Sequence, residues 1–311
     1  MRVFVAGASG AIGRPLIPKL VAAGHEVTGM TRSEAKAEHM RRAGADAAVV
    51  DVFDPEALRT AVEAAGTEVV VHELTSLPER LDFRKEELYA ATNRLRTEGT
   101  RNLLDAARAA RVARFVCQSI AFAYRPEGAR VKTEEEPLFG EAPGGFGNAM
   151  AALGEMESSV LRAEGLDGLV LRYGFFYGPG TYYADDGSTV ADVRRRRMPI
   201  VGKGTGVFSF IHVDDAADAT VAAVERGAAG VYNVTDDEPA PMSEWVPVLA
   251  HAAGAKPPRR VPAWAARLIA GRGATDFALE LRGASNEKAK RELGWRPAHP
   301  SWRTGLAESL R

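Results

Sequence analysis

Cysteine is almost missing from this sequence: Cys117 is the single thiol in 311 residues, which excludes an internal disulfide framework and a cysteine-based metal cluster. Its apolar setting, Arg114-Phe-Val-Cys-Gln-Ser119, reads as a small core residue on a strand rather than a nucleophile. Neither sign of charge is in excess. Lys+Arg number 40 against Asp+Glu 41, a formal net charge of -1, so no global basic field argues for nucleic acid and no acidic surplus argues for disorder. No apolar run approaches the length of a membrane span, and no charged-then-apolar leader precedes the first strand. Internal repeats and low-complexity tails are also missing. A cytoplasmic protein with no metal site, no nucleic-acid partner and no membrane partner is expected.

The composition that remains, 46% hydrophobic and 26% charged, is that of an ordinary globular protein with one large domain or a large and a small one. Its organising stretch is residues 1–15. Val3, Phe4 and Val5 read as a buried strand, Gly7, Gly10 and Gly13 follow at G-x-x-G-x-x-G spacing, and Ile12, Leu16, Ile17, Leu20 and Val21 give a helical period. Strand, glycine turn and helix in that order make a dinucleotide site: the glycines allow a tight turn and close approach of a pyrophosphate, whose charge faces the unpaired N–H groups of the helix start. The end of the next strand, within Gly24–Arg32, selects the cofactor. A carboxylate there would bind the ribose 2′-hydroxyl of NAD, whereas an arginine suits a 2′-phosphate. Arg32 stands at the tip and no acid lies between Val27 and Ser33, so NADP is favoured over NAD.

Strand and helix patterns then alternate. A helix over 33–43, a strand over 47–50, a helix over 55–65 and a strand over 68–72 lead to a long amphipathic helix over 88–110 and a strand over 114–117. A helix over 150–162 and a strand over 169–172 follow. This is the signature of an α/β fold, a Rossmann-like, doubly wound parallel sheet. Ser119 to Tyr124 lies just past the carboxyl end of a strand, where ligands sit in such sheets. Residues 125–147 read as a surface loop whose Glu134-Glu135-Glu136 run is solvated. Gly174 to Gly180 breaks the alternation and opens a second, smaller layer.

These residues resemble an extended or atypical short-chain dehydrogenase/reductase of the NAD(P)-dependent epimerase/dehydratase family. The matching pieces are Gly7–Gly13, Asn93 with Glu98–Leu104, Phe115–Ser119, Leu171–Gly180, Phe210–Asp215, Val231–Val234 and Ala289–Trp295. The resemblance implies a sheet of about seven strands, with residues 1–172 and a returning 205–235 as the dinucleotide domain, and 173–204 with 236–311 as a smaller substrate domain. It implies cofactor contacts from Gly7, Ser9, Gly10, Ala11, Ile12, Gly13, Arg32, Asp51, Val52, Leu74, Thr75, Asn93 and Ser119. A homodimer through the helices over 88–110 and 150–162 is a further expectation. His72 reads as a hydrogen-bonded histidine at a strand end rather than a ligand contact. His212 and Asp214 resemble a segment that fixes the returning chain.

The chain departs from that family at its chemistry. Reductases of this kind use a serine or threonine on the substrate oxygen, a tyrosine that transfers the proton, and a lysine four residues later that depresses the tyrosine pKa and holds the nicotinamide ribose. Ser119 fits the first role, but no Tyr-x-x-x-Lys occurs anywhere, and the helix that should carry it reads Gly147-Asn-Ala-Met-Ala-Ala-Leu-Gly-Glu-Met-Glu157. Replacement donors by reach are Tyr124, Tyr177, Tyr182 and Tyr183, or Asn148 and Glu155 from the altered helix. The four arginines 194–197 either grip an anion or form a solvated helix end. The expected function is NAD(P)-dependent oxidoreduction at a carbonyl or alcohol carbon of a small polar or sugar-like metabolite, with non-standard acid/base residues. The alternatives are a cofactor sensor without hydride transfer and an isomerase or lyase with no net redox change.

Overall fold

The computed structural model describes residues 1–80, 85–139 and 144–310. Its centre is a seven-stranded sheet in which every pairing is parallel: β1 (Arg2–Ala6), β2 (Glu26–Thr31), β3 (Asp46–Val49), β4 (Val69–His72), β5 (Arg114–Ile120), β6 (Asp167–Tyr173) and β7 (Gly230–Val234), in the order β7-β6-β5-β4-β1-β2-β3. Strand order reverses at β1, between β4 and β2, and the crevice beyond the carboxyl ends of β1 and β4 is where such sheets take their ligand. Helices α1 (Gly13–Ala22), α2 (Glu34–Arg42), α3 (Pro55–Ala64), α4 (Ala90–Arg94), α5 (Thr100–Ala109), α6 (Gly144–Leu161) and α7 (Val213–Glu225) flank it. No helix among the described residues is long and apolar enough to cross a membrane.

The strands are buried on both faces, as parallel strands under helices must be. Val3 and Val5 of β1 join Leu16 and Leu20 of α1 and Ala216 and Ala219 of α7 in one core. Phe4 and Ala6 turn to the opposite side and meet Leu58 of α3, Leu103 of α5 and Leu153 of α6 in another. A third cluster, around Phe208, Phe210, Trp245 and Trp302, belongs to the chain beyond the sheet. Asp215 ties the closing segment to α7: its carboxylate accepts the Ala298 and His299 N–H groups at 2.8 and 2.9 Å, and its carbonyl accepts Trp295 Nε1 at 3.1 Å.

One expectation of local structure is refined and another corrected. The helix over 88–110 is unbroken but irregular: a 3-10 turn (Glu86–Tyr89), α4, a π turn (Leu95–Gly99) and α5 follow one another in one helical run. The Thr97 hydroxyl donates to the Asn93 carbonyl at 3.1 Å, a side-chain competition for backbone acceptors that bends helices. The stretch 125–147, whose residues 140–143 lie outside the described residues, is not a free loop. Val131–Lys132 pairs in parallel with Gly283–Ala284. Its acid run is engaged as well: Glu134 Oε1 accepts the Asn233 N–H at 2.8 Å, and Glu136 pairs with Lys132 at 2.9 Å.

Two glycines near α6 have opposite surroundings and make a paired test. A Cβ on Gly168 would lie 2.2 Å from the Val160 carbonyl oxygen, whereas one on the exposed Gly154 would meet nothing within 4 Å. Gly168→Ala is expected to destabilise by about 2–3 kcal/mol, lowering Tm by roughly 5–10 °C, while Gly154→Ala stabilises by about 0.5–1 kcal/mol. Thermal unfolding of both variants checks this, and equal Tm values would disprove the packing of α6 on β6.

Candidate active site

The glycine turn between β1 and α1 is shaped to receive a phosphate group. Gly7 has φ +97°, and a Cβ there would lie 2.6 Å from the Glu73 carbonyl carbon; one on Gly13 would lie 2.4 Å from the Gly7 oxygen. The Gly10 N–H closes the turn on the Gly7 carbonyl at 2.9 Å. No side chain caps the helix start, and the N–H groups of Ala11 and Ile12 have no partner among the described residues. A cradle closed to Cβ atoms and lined by free N–H groups fits the pyrophosphate of a dinucleotide. Ser9 lies in the same turn, its carbonyl accepting Arg14 Nε at 3.3 Å. At the tip of β2 the Arg32 side chain is 76% exposed, with Nη1 3.9 Å from the Asp51 carboxylate. Asp51 also accepts the Phe53 N–H at 3.0 Å, and Val52 packs beneath the backbone of Gly99. Past β4, the Leu74 carbonyl accepts Gln118 Nε2 at 3.0 Å, Thr75 is exposed, and Asn93 on α4 keeps an enclosed, unpaired Oδ1. The fold thus brings the expected cofactor residues to one edge of the sheet.

Beneath the cradle lie two adjacent ionisable groups with no opposite charge beside them. The Leu74 N–H donates to His72 Nδ1 at 3.2 Å, which leaves the proton on Nε2, 3.0 Å from Thr100 Oγ1. Burial lowers the His72 pKa to about 4. On the other face Glu73 Oε1 lies 3.1 Å from the Tyr173 hydroxyl, and burial pushes its carboxyl up to about 8. Hydrogen counting agrees. Thr220 donates to the Ala216 carbonyl, so the single Tyr173 proton faces both Thr220 Oγ1 at 2.7 Å and Glu73, an arrangement completed by a carboxyl that carries its own proton.

At the ends of β5 and β6 the polar side chains form one closed network. Ser119, 2% exposed, donates to Glu157 Oε1 at 2.5 Å. Arg172 grips the same carboxylate through Nε at 2.9 Å and Nη2 at 2.6 Å. Arg172 Nη1 donates to the Tyr124 hydroxyl at 2.9 Å, and that hydroxyl donates to Asn233 Oδ1 at 2.7 Å. Burial pushes the Tyr124 phenol up to about 12, although Arg172 and Asn233 oppose the shift. Burial alone would lower the Arg172 pKa, but the Glu157 carboxylate holds it above its ordinary value.

The other expected donors are scattered. Tyr177 is fully buried beside Gly305, its hydroxyl enclosed and unpaired and its pKa raised by burial. Tyr183 is buried in the same cluster, and Tyr182 donates to the Pro78 carbonyl at 2.5 Å. Asn148 is exposed and donates to Glu86. Glu155 faces a groove with Arg101 and Arg162 on the outer side of α5 and α6. Arg194 pairs with Asp185, while Arg195 and Arg197 are exposed. His212 Nδ1 accepts the Asp214 N–H at 3.2 Å and its ring stacks on His299 at 3.9 Å, holding the returning chain. Cys117 is a buried core residue whose thiol burial pushes well up.

Two features escaped the sequence reading. Glu157, Leu153 and Ala149 recur every four residues and share one stripe of α6. Because β5 and β6 are parallel neighbours, the crossover helix runs antiparallel to them. From the Ser119 contact the stripe continues by about 6 Å per four residues to Leu153, buried in the core, and then to Ala149, whose carbonyl accepts Arg96 Nη1 at 3.3 Å. The second feature is aromatic. Phe122, just past β5, stacks on Phe175, just past β6, with centroids 4.1 Å apart, and Phe277 meets both edge-on at 6.5 and 6.2 Å.

The charge states of His72 and Glu73 predict a pH dependence. A raised carboxyl pKa means that the folded state binds the proton more tightly, so stability falls as pH rises from about 4.5 toward 8. For His72 the folded pKa is depressed, so stability falls as pH drops from 6.5 toward 4. Glu73→Gln should flatten the decline between pH 5 and 8, a difference of order 4 kcal/mol at the upper end. Tm measured across that range checks it, and parallel curves for the two proteins would place Glu73 in a wetter setting.

Comparison with known proteins agrees with this geometry. The model of the NAD dependent epimerase/dehydratase family matches residues 3–235. A Streptomyces protein, 3-diazoavenalumate denitrifying reductase, is 49% identical over 307 residues, covering 98% of this chain and 99% of the relative. UDP-glucose 4-epimerase of Thermus thermophilus, solved with NAD, superposes with a TM-score of 0.74 at 25% identity, covering 100% of this chain and 98% of that one. A human epimerase family protein solved with NADPH superposes with a TM-score of 0.74 at 21% identity, covering 100% and 99%, a likeness of fold. A glycine cradle at the switch point of a seven-stranded parallel sheet and a family match over most of the length lead to one conclusion: the chain belongs to the NAD dependent epimerase/dehydratase family and is an NAD(P)-dependent, oxidoreductase-like enzyme.

Proposed function

We propose that this chain is an NADPH-dependent reductase whose hydride acceptor is a small aromatic diazo compound and whose products are the arene and dinitrogen. The observation that carries the reading is the chemistry of α6. Where a proton donor and its activating cation would stand, the stripe offers Ala149 and Leu153, and the Ser119 hydroxyl is engaged by Glu157. Carbonyl reduction needs a proton as well as a hydride; displacement of dinitrogen does not. The reduced nicotinamide supplies the hydride when the cofactor is bound. In the acceptor a C–H bond forms at the diazo-bearing carbon and the C–N bond breaks, its electron pair leaving with N2, so the balance closes without an acid. The 49% identical relative is named for a diazo substrate, for loss of nitrogen and for reduction, which supports the same class.

The chain's own residues have distinct parts in this scheme. Gly7, Ser9, Gly10, Ala11, Ile12 and Gly13 cradle the pyrophosphate, Arg32 meets the 2′-phosphate with Asp51 and Val52 beside the adenosine, and Leu74, Thr75 and Asn93 border the nicotinamide half. Ser119 and Tyr124 hold the frame through Glu157 and Arg172 rather than transferring protons. Phe122, Phe175 and Phe277 supply an apolar wall for a flat ring. The layer over 173–204 and 236–311 selects the substrate.

NADPH oxidation followed with an arenediazonium salt, with N2 quantified by mass, tests this. Equal amounts of NADP and N2 are expected, with deuterium from 4-deuterated NADPH recovered on the arene carbon. Ser119→Ala should retain turnover within a few-fold. NADPH binding without any absorbance change would favour the sensor reading, and oxidation only with ketones would favour carbonyl chemistry. Arg32→Glu should weaken NADPH at least about tenfold through loss of a charge-assisted contact and leave NADH binding little changed; equal loss for both cofactors would remove Arg32 as the phosphate reader.

A further inference from the structure

Arg96 is a buried guanidinium with almost nothing to hold. It is 9% exposed and lies in the π turn between α4 and α5, a helical irregularity that recurs at functional sites. Its Nη1 donates to the Ala149 carbonyl at 3.3 Å, Nε is enclosed without a partner, and no carboxylate pairs with it among the described residues. The contrast with Arg172 is direct, because that second buried arginine holds a carboxylate through two nitrogens and a phenol through the third. An unpaired cation taken out of water is disfavoured by several kcal/mol. Burial lowers the Arg96 pKa only to about 10, so it remains charged at neutral pH.

Its location gives the charge a use. The helical stretch that carries Arg96 runs along the end of β4: the Thr92 hydroxyl accepts the Ser76 N–H at 3.1 Å, and Thr100 holds His72, the last residue of that strand. Arg96 lies between these two threonines and reaches across to Ala149 on α6. His72 pairs with Cys117 in the sheet, and Ser119 lies one pair of residues further out. The guanidinium therefore stands at the carboxyl edge of β4 and β5, against the apolar stripe where the proposed chemistry occurs, as the cation that this stripe lacks.

We propose that Arg96 is the anchor for a carboxylate of the substrate, fixing one end of the acceptor so that its reactive carbon faces the nicotinamide. This rests on the proposed reductase reading for the identity of the reactive group, but the anion site is testable without turnover. Benzoate and benzamide serve as probes in thermal unfolding of the NADPH-bound protein. Benzoate should raise Tm for the wild type and benzamide should not, and neither should act on Arg96→Met. Without a probe, Arg96→Met should have a Tm equal to or above the wild type, since it removes an unpaired buried charge. A variant that unfolds instead is replaced by Arg96→Lys, which keeps the charge and should keep part of the benzoate shift.

In turnover, Arg96→Gln should raise KM for 4-carboxybenzenediazonium about tenfold or more and change KM for its methyl ester less than about threefold, with the NADPH dissociation constant unmoved. Equal benzoate shifts in wild type and Arg96→Met, equal KM changes for acid and ester, or a weakened NADPH affinity would each overturn the assignment. If diazonium salts are not turned over at all while benzoate still acts through Arg96, the reductase reading fails and the anion site stands.

Discussion

The bidentate pair between Arg172 and Glu157 is the interaction on which the working edge of this protein depends. It joins β6 to α6 and, through the shared carboxylate, α6 to Ser119 of β5. The third nitrogen of Arg172 extends the chain of bonds through Tyr124 to Asn233 of β7, whose N–H is held by Glu134 of the connecting segment. Five parts of the chain thus meet in one polar cluster under an apolar layer, in which Asn233 Nδ2 alone of the named groups has no partner among the described residues. Such a cluster is weak evidence for stability and strong evidence for a defined arrangement, because removing either charged partner strands the other. The Ser119 hydroxyl, which the family pattern places on the substrate oxygen, and the Tyr124 hydroxyl, a replacement donor by reach, are both engaged in this cluster.

The same economy of charge governs the floor of the cofactor crevice. His72 and Glu73 are consecutive, point to opposite faces of the sheet and are both held neutral by burial. A neutral floor suits a cradle whose purpose is to receive a pyrophosphate, since an ionised Glu73 behind Gly7 would oppose the helix-end field that attracts it. Against this neutral background the buried charge of Arg96 is conspicuous, and its lack of a carboxylate partner distinguishes it from Arg172, the other buried arginine.

An apolar stripe on α6 changes what hydride chemistry the site can sustain. A carbonyl acceptor becomes an alkoxide and needs a proton at once, whereas a diazo group leaves as neutral N2. On the proposed reading the missing tyrosine and lysine are a fit to the acceptor, and the aromatic cluster of Phe122, Phe175 and Phe277 offers a flat ring an apolar wall.

Local pattern alone was enough for the parallel sheet, the glycine turn and the exposed arginine at the tip of β2, because each depends on residues close in sequence: period-two and period-3.6 burial, a glycine with φ above zero, and a charge at a strand end. The absence of Tyr-x-x-x-Lys was equally plain. What only the tertiary structure decided was which polar groups meet. Ser119 and Glu157 are 38 residues apart, and Tyr124 and Asn233 are 109 apart; nothing in either neighbourhood signals the other. Glu134 looked like one member of a solvated acid run until β7 supplied its donor. Arg96 sat unnoticed in a helix whose π turn and whose packing on Ala149 no local period encodes. Proximity of distant residues is set by the crossover of parallel strands, and it is this long-range geometry that decides that Ser119 meets a carboxylate, that Arg172 is paired and that Arg96 is not.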